Sequence, residues 1–276
     1  MGQVIIITGL AQGIGRDVAR MLAASGNSIA GFDVDKVGLA TLEKELDELG
    51  VEHYLTPLDI TDRNGVLRFR DAVLAKFGQV DTVLSNVGIG FFGPFEETDL
   101  EKALKCLEIN VIGAASIFQA FIPAMRERKC GKLIAMSSLV GLIPFPFESI
   151  YTASKFAIEG MVESIKYEVA PFGIKVALVE PAQVSTDFAA KIHKLPPEDS
   201  PYRERVQRFI NRDNELIKTA TTPEQAAKKI VTVVLDDNPK LHNQVDFMSS
   251  FFIFLNWILP KGIRDMILLN HMDIKV

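Results

Sequence analysis

The sequence predicts an α/β fold: one doubly wound, parallel sheet of seven strands with helices on both faces. Three observations predict it. Short runs rich in Val and Ile alternate with longer segments of helical spacing, the signature of successive βαβ units. The first apolar run ends in a glycine-rich turn that opens a helix. No Gly/Ser-rich linker, low-complexity tract or internal repeat divides the 276 residues.

Strands are expected at Val4–Thr8, Ser28–Asp33, Glu52–Leu58, Thr82–Ser85, Lys132–Ser137, Lys175–Val179 and, with the weakest pattern, Asn243–Phe247. Helices are expected between them at Gly13–Ala24, Leu39–Leu49, Arg63–Phe77, Leu100–Arg126, Ile150–Ala170 and Pro223–Leu235. The opening MGQVIIITG has neither the charged flank nor the apolar length of a secretory signal and reads as the first strand. Phe188–Thr221 is expected to be a mobile surface flap, because Pro196, Pro197 and Pro201 stand among many charges. Residues 1–248 then form one domain and 249–276 a hydrophobic tail. The most apolar stretch, Phe247–Leu259, falls short of the roughly 20 residues that cross a bilayer.

Composition narrows the function. With 48% apolar and 24% charged residues the chain has a large core, so disordered, collagen-like and coiled-coil readings drop out. Thirty Lys and Arg against 35 Asp and Glu, a net charge of −5, argue against nucleic acid as a partner. Cys106 and Cys130 have unrelated surroundings, and His53, His193, His242 and His271 are scattered, so no metal site is expected.

Two constellations carry chemistry. The first strand runs into Thr8-Gly9-Leu10-Ala11-Gln12-Gly13-Ile14-Gly15, after which Val18, Ala19, Met21 and Leu22 begin helical periodicity. Glycines there admit a pyrophosphate close to the backbone, and the helix N-terminus offers free N–H groups and a positive dipole end. Alone, the pattern is more often simply a tight βα turn. Its context is Asp33, 24 residues after Gly9 at the end of the second strand, where a carboxylate accepts bonds from ribose hydroxyls and repels a 2′-phosphate. NAD is therefore expected over NADP. Arg16 and Lys36 read as solvated helix charges, and Asp59 either caps the next turn or contacts the adenine.

The second constellation is Ser138, Tyr151 and Lys155. Tyr and Lys four apart share one helix face, and a neighbouring cation stabilises a phenolate that otherwise forms only near pH 10. Tyr151 thereby qualifies as a general acid/base. An isolated pair of this kind is usually an ordinary helix-surface contact; here it follows a complete nucleotide-binding half.

These residues resemble the short-chain dehydrogenases/reductases, NAD(P)-dependent oxidoreductases built on a single Rossmann-like domain. The resemblance covers roughly residues 3 to 250: the TGxxxGIG turn at Thr8–Gly15, Asp59, Asn86-Val87-Gly88, Asn110, Ser138 thirteen residues before Tyr151, Lys155, and Pro181 to Thr186. Val87 replaces the usual alanine and Ala182 the usual glycine, each adding a little bulk near the cofactor. The resemblance implies a catalytic set of Asn110, Ser138, Tyr151 and Lys155. Tyr151 exchanges a proton with the substrate oxygen, Lys155 lowers the tyrosine pKa and binds ribose, Ser138 steadies the oxygen, and Asn110 holds a relay water. It implies cofactor contacts from Gly9, Gln12, Gly13, Ile14, Gly15, Asp33, Asp59, Ile60, Asn86, Val87, Gly88, Tyr151, Lys155, Pro181, Val184 and Thr186.

Phe91, Phe92, Phe95, Phe145, Phe147 and Phe188 fall on loops at the carboxyl ends of strands, which predicts a greasy pocket. The stretch Ser137–Ile192 looks most like the 17β-hydroxysteroid and retinol dehydrogenase branch, implying a steroid-, retinoid- or lipid-like secondary alcohol or ketone. Two other readings stand beside this one. A non-catalytic dinucleotide-binding sensor or scaffold is disfavoured by the presence of Tyr151 and Lys155, and an epimerase or dehydratase by the short remainder after Thr186. Self-association as a homodimer or homotetramer is expected through Leu100–Arg126 and Ile150–Ala170, with Ala103, Leu107, Ile117 and Met161 in excess of what one sheet face needs. The protein is expected to be cytoplasmic. For the tail, with Trp257 near Lys261 and Arg264, two expectations compete: peripheral contact with a membrane surface, and packing over the pocket or against a partner subunit.

Overall fold

A computed structural model describes residues 2–185 and 195–274. Its seven strands are β1 (Val4–Thr8), β2 (Ser28–Asp33), β3 (His53–Pro57), β4 (Thr82–Ser85), β5 (Gly131–Met136), β6 (Ile174–Val179) and β7 (His242–Asn243). They pair in the order β3-β2-β1-β4-β5-β6-β7, every pair parallel. The order reverses between β1 and β4, and in open α/β sheets a ligand crevice forms outside the carboxyl ends of the strands at such a point.

Alternation along β1 explains the two layers. Ile5 and Ile7 point into one core with helices α1 (Gly13–Ala24), α2 (Lys36–Glu48) and, later in the chain, the helix Pro223–Leu235. Ile6 points into the other, with α3 (Arg63–Phe77) and the helices Gly113–Arg128 and Ser149–Val169. A strand buried on both faces reads as a near-continuous apolar run, as Val4–Ile7 do, and the buried Thr8 that ends it accepts from the N–H groups of Asn86 and Val87. The second core is built around Phe32, Phe69 and Phe121, with Phe69 edge-on to both partners at ring centroid distances of 5.0 and 6.3 Å.

The expected helix Leu100–Arg126 is three pieces: α4 (Leu100–Leu107), a wide π turn at Glu108–Ile112, and α5 (Gly113–Arg128). The apolar periodicity runs through the junction, which is why sequence alone joins them. α2 begins three residues earlier than its apolar pattern because Asp35 caps it, its carboxylate accepting from the N–H groups of Val37 and Gly38. α6 (Ser149–Val169) lies one residue from its expected bounds.

Two corrections concern the C-terminal part. The expected flap Phe188–Thr221 contains a helix, α7 (Arg203–Ile217), that buries Val206 and Phe209 completely. Its mean hydropathy is low because charge crowds the outer face, so composition concealed it. Phe188 and Thr186 lie outside the described residues. The last strand is His242–Asn243, overlapping the expected Asn243–Phe247 only at Asn243, because Asp246 caps a helix that starts at Phe247. After α8 (Pro223–Leu235) the tail forms α9 (Phe247–Ile258) and α10 (Lys261–His271). Its inner face packs: Phe252 joins Leu139 and Ile143, while Met272 and Ile274 join Phe209. Its outer face leaves Trp257 84% exposed.

Of the residues expected in excess for self-association, Ala103 and Ile117 are buried in this chain's own core, and Met161 packs against it. The apolar side chains left outside on these helices are Leu100, Leu104 and Ile112 on the first and Phe156 and Tyr167 on the second.

Phe121 sits at the junction of α5 with the sheet and is fully buried. Phe121→Ala is expected to lower stability by about 3–5 kcal/mol, read as a fall in the urea midpoint at unchanged slope.

Candidate active site

The carboxyl ends of β1, β2, β4, β5 and β6 open into one cleft of about 1110 Å³. The glycine turn after β1 forms its floor at one end. Gly9 holds φ +70°, and a Cβ on Gly15 would meet the Gly9 carbonyl oxygen at 2.3 Å, so neither position tolerates a side chain without backbone movement. Gly13, Ile14 and Gly15, the first residues of α1, line the cleft, which places the helix N-terminus there. Asn86 braces the turn: its Nδ2 donates to the carbonyls of Thr8 and Gly9 at 3.0 and 2.9 Å.

Asp33 ends β2 inside the cleft, with its two oxygens accepting from the N–H groups of Ala11 and Asp35, both at 3.0 Å. Each oxygen keeps a further lone pair. Arg16 is committed elsewhere: its guanidinium donates to the Ala11 and Gly38 carbonyls and to Thr41, and pairs with Glu45 at 3.0 Å. Asp59 does cap its turn, accepting from the N–H and hydroxyl of Thr61, and the first of these bonds holds its carboxyl below the usual range. It also lines the cleft, as do Ile14, Gly13, Ile60, Val87, Gly88, Pro181 and Val184. This geometry fits a dinucleotide: a glycine cradle and helix N-terminus suited to a diphosphate, and a carboxylate set for ribose.

At the other end stand Ser138, Tyr151 and Lys155. Ser138 starts a short turn after β5 with its Oγ accepting from the Val140 N–H. Tyr151 and Lys155 stand one turn apart on α6, with the Lys155 nitrogen 5.5 Å from the Tyr151 ring centre. Lys155 is buried and donates to the Met136 carbonyl at the end of β5, at 2.8 Å. Asn110 occupies the π turn. Its Oδ1 accepts from the Ile89 N–H at 2.8 Å, and its Nδ2 donates to the Ile89 carbonyl and to Ser154 Oγ, tying the loop after β4 to α6.

One expectation is corrected. Within this chain the net shift of the tyrosine is upward. Burial pushes the Tyr151 phenol well above its ordinary value, the Glu148 charge adds to that, and a hydrogen bond with Ser138 opposes it. Burial likewise pushes Lys155 down, to about 8. Both groups are held toward their neutral forms because the site is desolvated.

The aromatic pocket also differs from expectation. Phe145 lines the cleft, but Phe92 and Phe147 pack with Phe209 at ring distances of 5.3 and 5.7 Å into a satellite core, and Phe95 is exposed. The apolar wall comes instead from Leu216 on α7, Met248 and Phe252 on α9, and Met272 after α10. Sequence reasoning also missed Glu148, Gln183, Asp213 and His271. A carboxyl one turn before Tyr151 was the available signal for Glu148; Asp213 lies on the concealed helix and offered none.

The short-chain dehydrogenase family model matches residues 3–196. This chain is a short-chain dehydrogenase. The protein is similar to human 17-beta-hydroxysteroid dehydrogenase type 1, 30% identical over 86% of this chain and 76% of that protein. It is also similar to bovine retinol dehydrogenase 8, 30% identical over 94% of this chain and 86% of that one. The solved structure of a short-chain dehydrogenase from Streptomyces avermitilis superposes with a TM-score of 0.81 at 28% identity, covering 99% of this chain and 96% of that one. The short-chain dehydrogenase described here thus belongs to the steroid and retinol dehydrogenase-like branch and is an NAD(P)-dependent dehydrogenase or reductase.

Replacing Asn110 by alanine leaves the Ile89 N–H and carbonyl without that amide. Asn110→Ala is expected to cost about 1–3 kcal/mol of stability in urea titration, with Cys106 then reacting faster with a thiol reagent as the loop loosens.

Proposed function

We propose that this enzyme transfers hydride between NAD(H) and a hydrophobic secondary alcohol or ketone, with Tyr151 as acid/base. The observation that carries the reading is the meeting of Tyr151, Ser138 and Lys155 with a mostly apolar wall in the same cleft as the glycine turn.

Gly13, Ile14, Asp33 and Lys155 would be among the residues that hold the dinucleotide. When bound, its nicotinamide supplies the hydride acceptor or donor. Tyr151 Oη passes a proton to or from the substrate oxygen, and Ser138 Oγ steadies that oxygen by a hydrogen bond as negative charge grows on it. Lys155, when protonated, stabilises the phenolate left behind. Asn110 acts as a positioning residue through Ile89 and Ser154, fixing α6 beneath the tyrosine. NAD is the proposed cofactor because the Asp33 carboxylate faces the cleft while Arg16 is spent on Glu45 and backbone carbonyls.

The test is a panel of hydrophobic secondary alcohols and ketones followed by nicotinamide absorbance, with NAD and NADP in parallel. The parent is expected to turn over at least one pair with a higher kcat/KM for NAD. Tyr151→Phe is expected to lower kcat by about 10²–10⁴-fold while still binding the dinucleotide. Retention of a tenth of the activity in that variant excludes Tyr151 as the acid/base, and a preference for NADP overturns the role given to Asp33.

A further inference from the structure

At the edge of the sheet, outside the set of residues that lines the cleft, three carboxylates converge on one imidazole. Glu159 and Glu163 stand one turn apart on α6, Glu180 follows β6, and His242 opens β7. His242 Nδ1 is 2.6 Å from Glu180 Oε1 and 3.7 Å from Glu159 Oε2, while Nε2 is 3.6 Å from Glu163 Oε1. Among the described residues no Lys or Arg forms an ion pair with any of the three.

Glu159 is the member that the fold leaves unsatisfied. It is 5% exposed, and among the described residues neither of its oxygens has a hydrogen-bond partner; the Ser137 hydroxyl lies alongside without completing one. Buried polar groups in folded chains are nearly always paired, so an orphaned carboxylate beside a histidine points to a missing ligand. Glu180 differs. It is fully buried, but its two oxygens meet His242 Nδ1 and Gln244 Nε2.

A metal ion satisfies the set. One ring nitrogen of His242 and one oxygen from each of Glu159 and Glu163 lie within 4.8 Å of one another. Atoms bonded at about 2.0–2.2 Å to a shared ion stand roughly 3–4 Å apart, so small side-chain rotations close the three on it. With the Nδ1 proton donated to Glu180, Nε2 keeps its lone pair for the ion, and the carboxylate fixes the ring as in a carboxylate–histidine–zinc triad. The Glu163 side chain is 50% exposed and that of His242 38%, which gives the ion a path from solvent and leaves a coordination position for water.

We propose that Glu159, Glu163 and His242 form a binding site for a first-row divalent cation, zinc above all, with Glu180 orienting the histidine. Two carboxylate oxygens and an imidazole suit such an ion, whereas calcium and magnesium favour all-oxygen sets. The ion clips β7, an edge strand of two residues, to α6 one turn beyond Lys155. The inference is independent of the reaction proposed above. It also reverses the expectation of no metal site, because scattered histidines in the sequence concealed a meeting of residues 159, 163 and 242 that only the fold makes.

The test is a calorimetric titration of the chelator-treated, full-length protein with zinc chloride at pH 7.5, with magnesium chloride in parallel. One equivalent of zinc is expected to bind with micromolar or tighter affinity, at least about a hundredfold more tightly than magnesium. Glu163→Gln and His242→Gln, both at partly exposed positions, are each expected to weaken zinc binding at least about tenfold, while Cys130→Ser and His53→Gln leave it unchanged. Zinc is also expected to raise the urea midpoint of the parent and not that of Glu163→Gln. No saturable zinc binding, or an affinity that survives both substitutions at the site, overturns the proposal. So does binding that is lost in Cys130→Ser or His53→Gln instead.

The parent alone supplies a second readout, histidine labelling by diethyl pyrocarbonate mapped by mass spectrometry. One equivalent of zinc is expected to shield His242. Labelling of His242 that zinc leaves unchanged overturns the proposal as well.

Discussion

A lysine ammonium buried to 5% exposure and held on the carbonyl at the end of β5 is the constraint around which this site is organised. Removing an ammonium from water is costly, and the cost appears directly as the lowering of Lys155 to about 8. The chain supports it with a strand-end carbonyl, which a parallel sheet offers because its carbonyls run out together along one edge. The position of Lys155 fixes α6, and α6 fixes Tyr151 one turn earlier.

Opposite shifts in two neighbours follow from one cause. Desolvation raises the phenol and lowers the ammonium, so each is pushed toward its uncharged form in this chain. A phenolate formed at Tyr151 beside the Lys155 ammonium makes a close ion pair, whose attraction grows as the dielectric falls. The same desolvation that raises the tyrosine therefore strengthens the pairing that would stabilise its phenolate. Asn110 contributes from below: its amide bonds join the π turn, the loop after β4 and Ser154, whose hydroxyl donates to the Tyr151 carbonyl at 2.7 Å. Apolar side chains from α7, α9 and Met272 line the same cleft.

The parts of this arrangement that were legible in the sequence are those written in local periodicity. The βα turn at Thr8–Gly15, Asp33 at a strand end, and the Tyr151 and Lys155 spacing each depend on residues a few positions apart, and the structure brings them to one cleft. The break at Asn110 was illegible because a π turn disturbs the hydrogen-bond ladder without interrupting the apolar pattern on either side. α7 was hidden by its charged outer face, and with it Asp213. The pocket wall was misassigned for a related reason. Phe92 and Phe147 were available to line it, but Phe209, on the unseen helix, draws them into a separate cluster.

The central claim is that Lys155 governs the ionisation of Tyr151. The most direct measurement is the pH dependence of kcat/KM for oxidation of a hydrophobic secondary alcohol, compared between the parent and Lys155→Met. The limb that rises with pH reports the macroscopic ionisation of the pair. With the cation removed the phenolate loses its partner, and the account predicts that this limb moves upward by at least about two pH units, along with a lower limiting rate. A limb that stays where it is in Lys155→Met, whatever the loss in rate, would contradict the account.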